Sequence, residues 1–266
     1  MPASALMNVM ISAVRKAGRG LARDFGEVEN LQISEKGPGD FVSAADRKAE
    51  KVLYQELSKA RPGYCFLLEE SGYIEGADKT HRWIIDPLDG TTNFLHSIPL
   101  FGISVALERE GELVAAVFYN PVTNEMFTAE KGKGSFINDR RIRVAARNRF
   151  RDYVLTTGIP HMGRPGQQRF LTECAMMMGT VSGLRRTGSA ATDLAWVAAG
   201  RFDGYWEYDI QPWDMAAGIL LVKEAGGYVS DIDGKQDMFS TGGIIAGNES
   251  VQRDLVKIIK KTHLSG

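Results

Sequence analysis

Two different spacings of apolar residues divide this chain, and one type of sheet cannot satisfy both. Over 102–107, 113–119 and 125–129, short runs rich in Val, Phe and Ile are broken by Gly111 and by Asn120-Pro121. Gly132 and Gly134 then lead into Ser135-Phe136-Ile137. Such runs between turn residues predict an antiparallel meander. From about residue 145 the pattern changes. Strand-like runs at 153–156, 184–186 and 204–207 alternate with helical stretches at 167–178, 190–199 and 213–225. Short strands near Tyr228 and Ile244 and a last helix from Ser250 follow. That alternation predicts an α/β half. Nearer the start, Leu6, Val9, Met10, Ala13, Val14 and Ala17 recur at helical spacing, as do Ala49, Val52, Leu53 and Leu57 in a helix over 46–60 that Pro62-Gly63 ends. No repeat or linker separates the two patterns. The expectation is a half over 1–145 and a half over 146–266, packed as one unit around a shared site.

Charge and cysteine usage exclude several classes. The 266 residues carry 32 Lys+Arg against 33 Asp+Glu and four His, a net charge of -1. That balance offers no polybasic field for nucleic acid or an anionic membrane. No stretch reaches the ~18 consecutive apolar residues of a membrane span, and Arg15, Lys16 and Arg19 follow rather than precede the first apolar residues, unlike a signal peptide. Cys65 and Cys174 have no C-x-x-C spacing and cannot build a secreted disulfide framework. A soluble, cytoplasmic protein is expected.

The chemistry concentrates in carboxylates that follow apolar runs. Trp83-Ile84-Ile85 leads into Asp86-Pro87-Leu88-Asp89-Gly90-Thr91-Thr92-Asn93. Asp86 and Asp89 can converge on one loop, where two negative side chains repel unless a cation lies between them. Oxygen donors without His or Cys suit a hard ion, Mg²⁺ before Zn²⁺. Gly90 permits close backbone approach, and a helix starting at Thr91-Thr92-Asn93 would turn N–H groups toward a phosphate. Taken alone, the segment also reads as an ordinary strand and turn. Glu69-Glu70 likewise follows the apolar run Phe66-Leu67-Leu68, and Asp214 opens a helix after Trp213, where an acid meets the helix dipole. Each is weak by itself. Together Glu69, Asp86, Asp89 and Asp214 supply what a two-metal phosphoryl-transfer site needs.

These segments resemble the inositol monophosphatase family. Asp86-Pro-Leu-Asp89-Gly90-Thr91 is similar to its metal motif and Trp213-Asp214-Met215-Ala216-Ala217-Gly218 to its second motif. Asp40-Phe-Val-Ser-Ala-Ala-Asp46, Leu68-Glu69-Glu70-Ser71, Gly188-Ser189-Ala190-Ala191 and Lys223-Glu224-Ala225-Gly226-Gly227 match in order and approximate spacing. The resemblance implies a layered αβαβα sandwich, α+β in its first half and α/β in its second. It also implies Mg²⁺-dependent hydrolysis of an inositol monophosphate, a small phosphorylated polyol, by a homodimer.

Residue by residue, the resemblance implies that Glu69, Asp86 and the Leu88 carbonyl hold one Mg²⁺, and that Asp86, Asp89 and Asp214 hold a second, with a third ion near Glu69. Thr91 and Asp46 would direct the proton of the attacking water, and the N–H groups of Gly90 and Thr91 would bind phosphoryl oxygens. Asp89, Asp214, the backbone near Ala190 and Glu207 would meet the substrate, and Lys36 would help organise the third ion. Asp46 also suits a helix N-cap. Arg185-Arg186 suits a substrate phosphate, an interface carboxylate or plain surface charge. His81, His96, His161 and His263 share no spacing and receive no role. Fructose 1,6-bisphosphate, histidinol phosphate and 3′-phosphoadenosine nucleotides remain alternative substrates, and a regulatory protein of the transcription machinery remains an alternative of another class.

Overall fold

A computed structural model describes residues 3–25, 27, 33–37, 40–160 and 165–263, without the side chains of 33–37, 40–43 and 263. Helix α1 (Ala5–Asp24) starts at Ser4, whose side chain accepts the Met7 N–H at 3.1 Å. A hairpin of β1 (Ile33–Gly37) and β2 (Asp40–Ser43) leads into α2 (Ala44–Ala60). Strands β3 (Tyr64–Leu68), β4 (Gly72–Ile74), β5 (Asp78–Asp89), β6 (Gly102–Arg109), β7 (Glu112–Asn120), β8 (Glu125–Glu130), β9 (Gly134–Ile137) and β10 (Arg140–Arg141) form one sheet in the order β10-β9-β8-β7-β6-β5-β3-β4. The short α3 (Thr91–Leu95) joins β5 to β6. Only β3 and β5 run parallel in this sheet, so the meander expected over 102–137 is present.

The second sheet contains β11 (Val154–Thr157), β12 (Gly183–Arg185), β13 (Gly204–Glu207), β14 (Tyr228–Ser230) and β15 (Ile244–Gly247), in the order β12-β11-β13-β15-β14. Its helices are α4 (Gln167–Met178), α5 (Ala190–Ala198), α6 (Pro212–Glu224), the single turn α7 (Met238–Thr241) and α8 (Glu249–His263). Strands β11, β12 and β13 are parallel, whereas β15 pairs antiparallel with both β13 and β14.

Side-chain alternation assigns the layers. On β5, Trp83 and Ile85 pack with α1 and α2, while Ile84 between them packs with α5 and α6. On β13, Tyr205 joins the α5/α6 layer and Trp206 the outer layer with α4 and α8. The order is α1/α2, large sheet, α5/α6, small sheet, α4/α8, which is the αβαβα sandwich the resemblance implies. Helix α6 has no polar face over Met215–Val222, all of it buried, because a sheet covers it on either side. Among the described residues no helix is long and apolar enough to cross a membrane.

Candidate active site

The β5 strand ends on an irregularity that decides the direction of two carboxylates. Asp86 pairs with Ser104 and Asp89 with Gly102, so three steps on β5 oppose two on β6. In a regular strand, residues three apart face opposite sides. One extra residue reverses that, and both carboxylates turn toward the α5/α6 layer. Pro87 lies inside the irregularity, where a missing N–H costs no ladder bond. Asp86 and Asp89 are therefore not on a loop, contrary to the sequence expectation; the strand continues to Asp89 in bulged form.

Asp214 arrives from the opposite layer. Pro212 opens α6, and the Asp214 carboxylate accepts the Gln211 N–H at 2.7 Å in a capping box. Oxygens of Asp86, Asp89 and Asp214 then lie within 4.8 Å of one another. Burial, followed by the charges of Glu69, Asp89 and Asp214, raises Asp86 well above the usual carboxylate range. Burial and then the Asp89 charge do the same to Asp214. Burial pushes Asp89 up to about 6, against hydrogen bonds from Ser189 and from the N–H groups of Ala191, Ala190 and Thr192. Carboxylates held together at such a cost fit a divalent cation, and donors that are all oxygen fit a hard one. Glu69, half-buried just beyond β3, lines the same cleft next to Asp86.

Gly90, Thr91, Leu88 and Ala190 line the same cleft as these four. Gly90 has φ 94°, and a Cβ there would lie 3.0 Å from the Leu100 carbonyl and 3.2 Å from Ser189 Cβ, so only glycine closes this turn. The Thr91 hydroxyl is 3.0 Å from Asp46 Oδ1 and 3.1 Å from the Leu88 carbonyl, either of which accepts its proton. Asp46 is fully buried in the first turn of α2, two residues past the start of the helix, so it is not the N-cap. Leu88 N–H donates to Asp86 Oδ1 at 2.8 Å. Ala190 lines the cleft at the N-terminus of α5.

Glu207, the last residue of β13, lines the opposite wall and accepts the Tyr205 hydroxyl at 2.5 Å. It lies against the bare Cα of Gly158, where a Cβ would come within 1.8 Å of Glu207 Oε1. Arg186 lines the cleft, whereas Arg185 is exposed and donates to the adjacent Leu184 carbonyl at 2.9 Å. The backbone of Lys36 lies in β1, and its side chain is outside the described residues, as are His161 and the His263 ring.

Among the polar contacts of the cleft, Asp193 and Gly158 escaped the sequence reading, and Ser189, quoted only within a matching segment, was given no role. Ser189 caps α5 and also donates to Asp89 Oδ2, which takes the Ala191 N–H at 2.7 Å as well. Asp193, in the first turn of α5, is raised well above the usual range by burial despite hydrogen bonds from Thr156 and Thr187. Gly158 makes room for Glu207. The Ser-x-x-x-Asp spacing of 189–193 is a readable helix start, but nothing in it signals the partner a hundred residues away.

The family profile for inositol monophosphatases matches residues 3–264. A protein named inositol-1-monophosphatase from Mesorhizobium japonicum is 61% identical over 98% of each chain. A protein named Nus factor SuhB from Escherichia coli is 41% identical over 94% of each. The solved structure of extragenic suppressor protein suhB from Bartonella henselae superposes with a TM-score of 0.95 at 59% identity, covering 97% of this chain and 99% of that one.

Proposed function

The chain belongs to the inositol monophosphatase family, and from that premise we propose that it is a metal-dependent phosphoric monoester hydrolase releasing phosphate from a myo-inositol monophosphate. The observation that carries this reading is the convergence of the Asp86, Asp89 and Asp214 oxygens within 4.8 Å beside the Gly90-Thr91 backbone. In the proposed assignment Glu69, Asp86 and the Leu88 carbonyl would hold one Mg²⁺, Asp86, Asp89 and Asp214 would hold a second, and Glu69 would serve a third. Bound Mg²⁺ supplies an activated water and neutralises charge on the leaving oxygen.

The protein's own groups do the rest. Thr91 Oγ1 would take a proton from the attacking water as its own hydroxyl hydrogen passes to Asp46 Oδ1, 3.0 Å away, so that the proton ends on the carboxylate. The Gly90 and Thr91 N–H groups hold phosphoryl oxygens in line with attack. Across the cleft, Glu207 accepts hydrogen bonds from ring hydroxyls. The Ala190 backbone and the carboxylates of Asp89 and Asp214 orient the ester. The division near residue 145, a homodimeric state and a cytoplasmic location belong to the same proposal.

A second reading, a regulatory protein of the transcription machinery, draws on the 41% identical relative named Nus factor SuhB. The 61% identical relative named for the enzyme outweighs it. Phosphate release from inositol 1-phosphate, fructose 1,6-bisphosphate, histidinol phosphate and 3′-phosphoadenosine 5′-phosphate, each with Mg²⁺ and with EDTA, tests both. The expected result is Mg²⁺-dependent preference for the inositol ester. Preference for another ester changes the substrate, and release from none favours the regulatory reading.

A further inference from the structure

Helix α2 buries two carboxylates one helical turn apart, Asp46 and Glu50. Asp46 takes the Thr91 hydroxyl and so reaches the loop after β5. Glu50, 4% exposed, reaches the turn between β3 and β4: its Oε2 accepts the Glu70 N–H at 2.9 Å and its Oε1 accepts the Ser71 hydroxyl. The preceding amide is fixed too, because the Glu69 N–H donates to the Ile85 carbonyl at 3.2 Å. Both peptide planes that flank the Glu69 Cα are therefore tied down, one to β5 and one to α2. The direction of the Glu69 side chain follows from those two ties, since they restrain φ and ψ of that residue together.

We propose that Glu50 is a positioning residue for the cation site: it holds the β3–β4 turn so that Glu69 faces Asp86, and α2 thereby sets the distance between the two ligand-bearing turns. Glu50 does not line the cleft, and it acts through the Glu70 amide rather than on substrate or metal. The inference rests on the reading of Glu69 as a cation ligand. Losing a group that orients a ligand typically costs about 10–100-fold in metal affinity or activity, and a group that touches neither substrate nor the reacting atoms should show its loss in affinity.

The test is Mn²⁺ binding followed by electron paramagnetic resonance, alongside the Mg²⁺ dependence of turnover, for the wild type, Glu69→Gln, Glu50→Gln and Ser71→Ala. Glu50→Gln leaves one acceptor oxygen where the carboxylate offers two, so the Glu70 N–H and the Ser71 hydroxyl can no longer both donate to it. Cation affinity should fall about ten-fold, with kcat at saturating Mg²⁺ reduced far less. Ser71→Ala, which leaves the buried carboxylate in place, should give a smaller loss in the same direction and serves if Glu50→Gln does not fold. A wild-type protein that binds Mn²⁺, a Glu69→Gln variant that binds it more weakly, and folded Glu50→Gln and Ser71→Ala variants with wild-type affinity would overturn the proposal alone. Unchanged binding in Glu69→Gln would instead overturn the ligand assignment beneath it.

Discussion

Carboxylates are buried in two regions of this molecule, and they differ in what else each carboxylate faces. In the outer layer of the small sheet, fully buried Glu173 accepts from Trp206 Nε1, the Tyr208 hydroxyl and Thr262 Oγ1, so β13, α4 and α8 all meet on it. Asp203, 1% exposed, accepts from Arg147 Nε at 2.6 Å and the Val154 N–H at 2.8 Å. In the cleft, Asp86, Asp89 and Asp214 face one another, and their pKa values rise. Burial and hydrogen-bond donors are common to both regions. Donors reach both sets, but the cleft acids also face one another across a space that suits a cation, which is the physical difference between a structural acid and a candidate ligand.

That contrast can be broken by experiment. The largest expected effect is from Asp89→Asn: a loss of turnover on the order of 10³-fold in Mg²⁺, with thermal unfolding of the metal-free protein at pH 7 no lower than wild type. A variant that still turns over normally would remove Asp89 from the site. Glu173→Ala should behave in the reverse way. It strands the Trp206 and Tyr208 donors and should cost roughly 3 kcal/mol in urea unfolding, whereas cation affinity should be unchanged; weakened Mn²⁺ binding would erase the distinction between the two sets of acids.

The pH dependence of the metal-free protein sharpens the same point. Asp89 is at 3.8 in an ordinary environment and about 6 in the fold, so the folded state binds more protons than the unfolded state between those values. Stability from this group is present below 3.8 and is lost as pH rises through 6. Two units at about 1.4 kcal/mol each make the loss about 3 kcal/mol. Asp86 and Asp214 shift in the same direction. Melting in EDTA should fall from pH 4 toward pH 7 by comparison with Asp89→Asn, and saturating Mg²⁺ should cancel the difference. A profile unaffected by Mg²⁺ would count against a cation among these acids.

Smaller effects separate binding from chemistry. Glu207→Gln should raise KM for the inositol ester about ten-fold, the equivalent of one hydrogen bond of about 1.4 kcal/mol, with kcat and Mn²⁺ affinity little changed; an unaltered KM would move the hydroxyl-binding role elsewhere. Smallest of all is Arg185→Ala. The exposed guanidinium donates to the adjacent Leu184 carbonyl, so its removal should change stability by less than about 0.5 kcal/mol and leave KM intact. A clear KM effect there would return Arg185 to the cleft.

Much of this was legible from residues in order along the chain. The meander, the strand–helix alternation after residue 145 and the helical spacing at both ends correspond to observed elements because periodicity reports which side of an element is buried. The hairpin of β1 and β2, the short β4 and the two-residue β10 carry too few residues for a period to register. At the site, Glu69, Asp86, Asp89 and Asp214 were each weak alone, since acids are ordinary at strand ends, turns and first helical turns, and stood out only as a set and through the resemblance of their segments to one family. Asp193 and Glu50 did not, and Ser189 appeared only within a matching segment, since Ser at a cap, Asp in a first turn and Glu in a helix are what local propensity already favours.

The sequence by itself determined the kinds of elements, the carboxylate-bearing turns and the hard-oxygen chemistry, because each is fixed by neighbours within a few positions. Only the tertiary structure decided which carboxylates meet. The extra residue between Asp86 and Asp89, the arrival of Asp214 from α6 and of Ser189 from α5, and the two ties of α2 are long-range events. They depend on sheet register and layer packing, which no local spacing encodes.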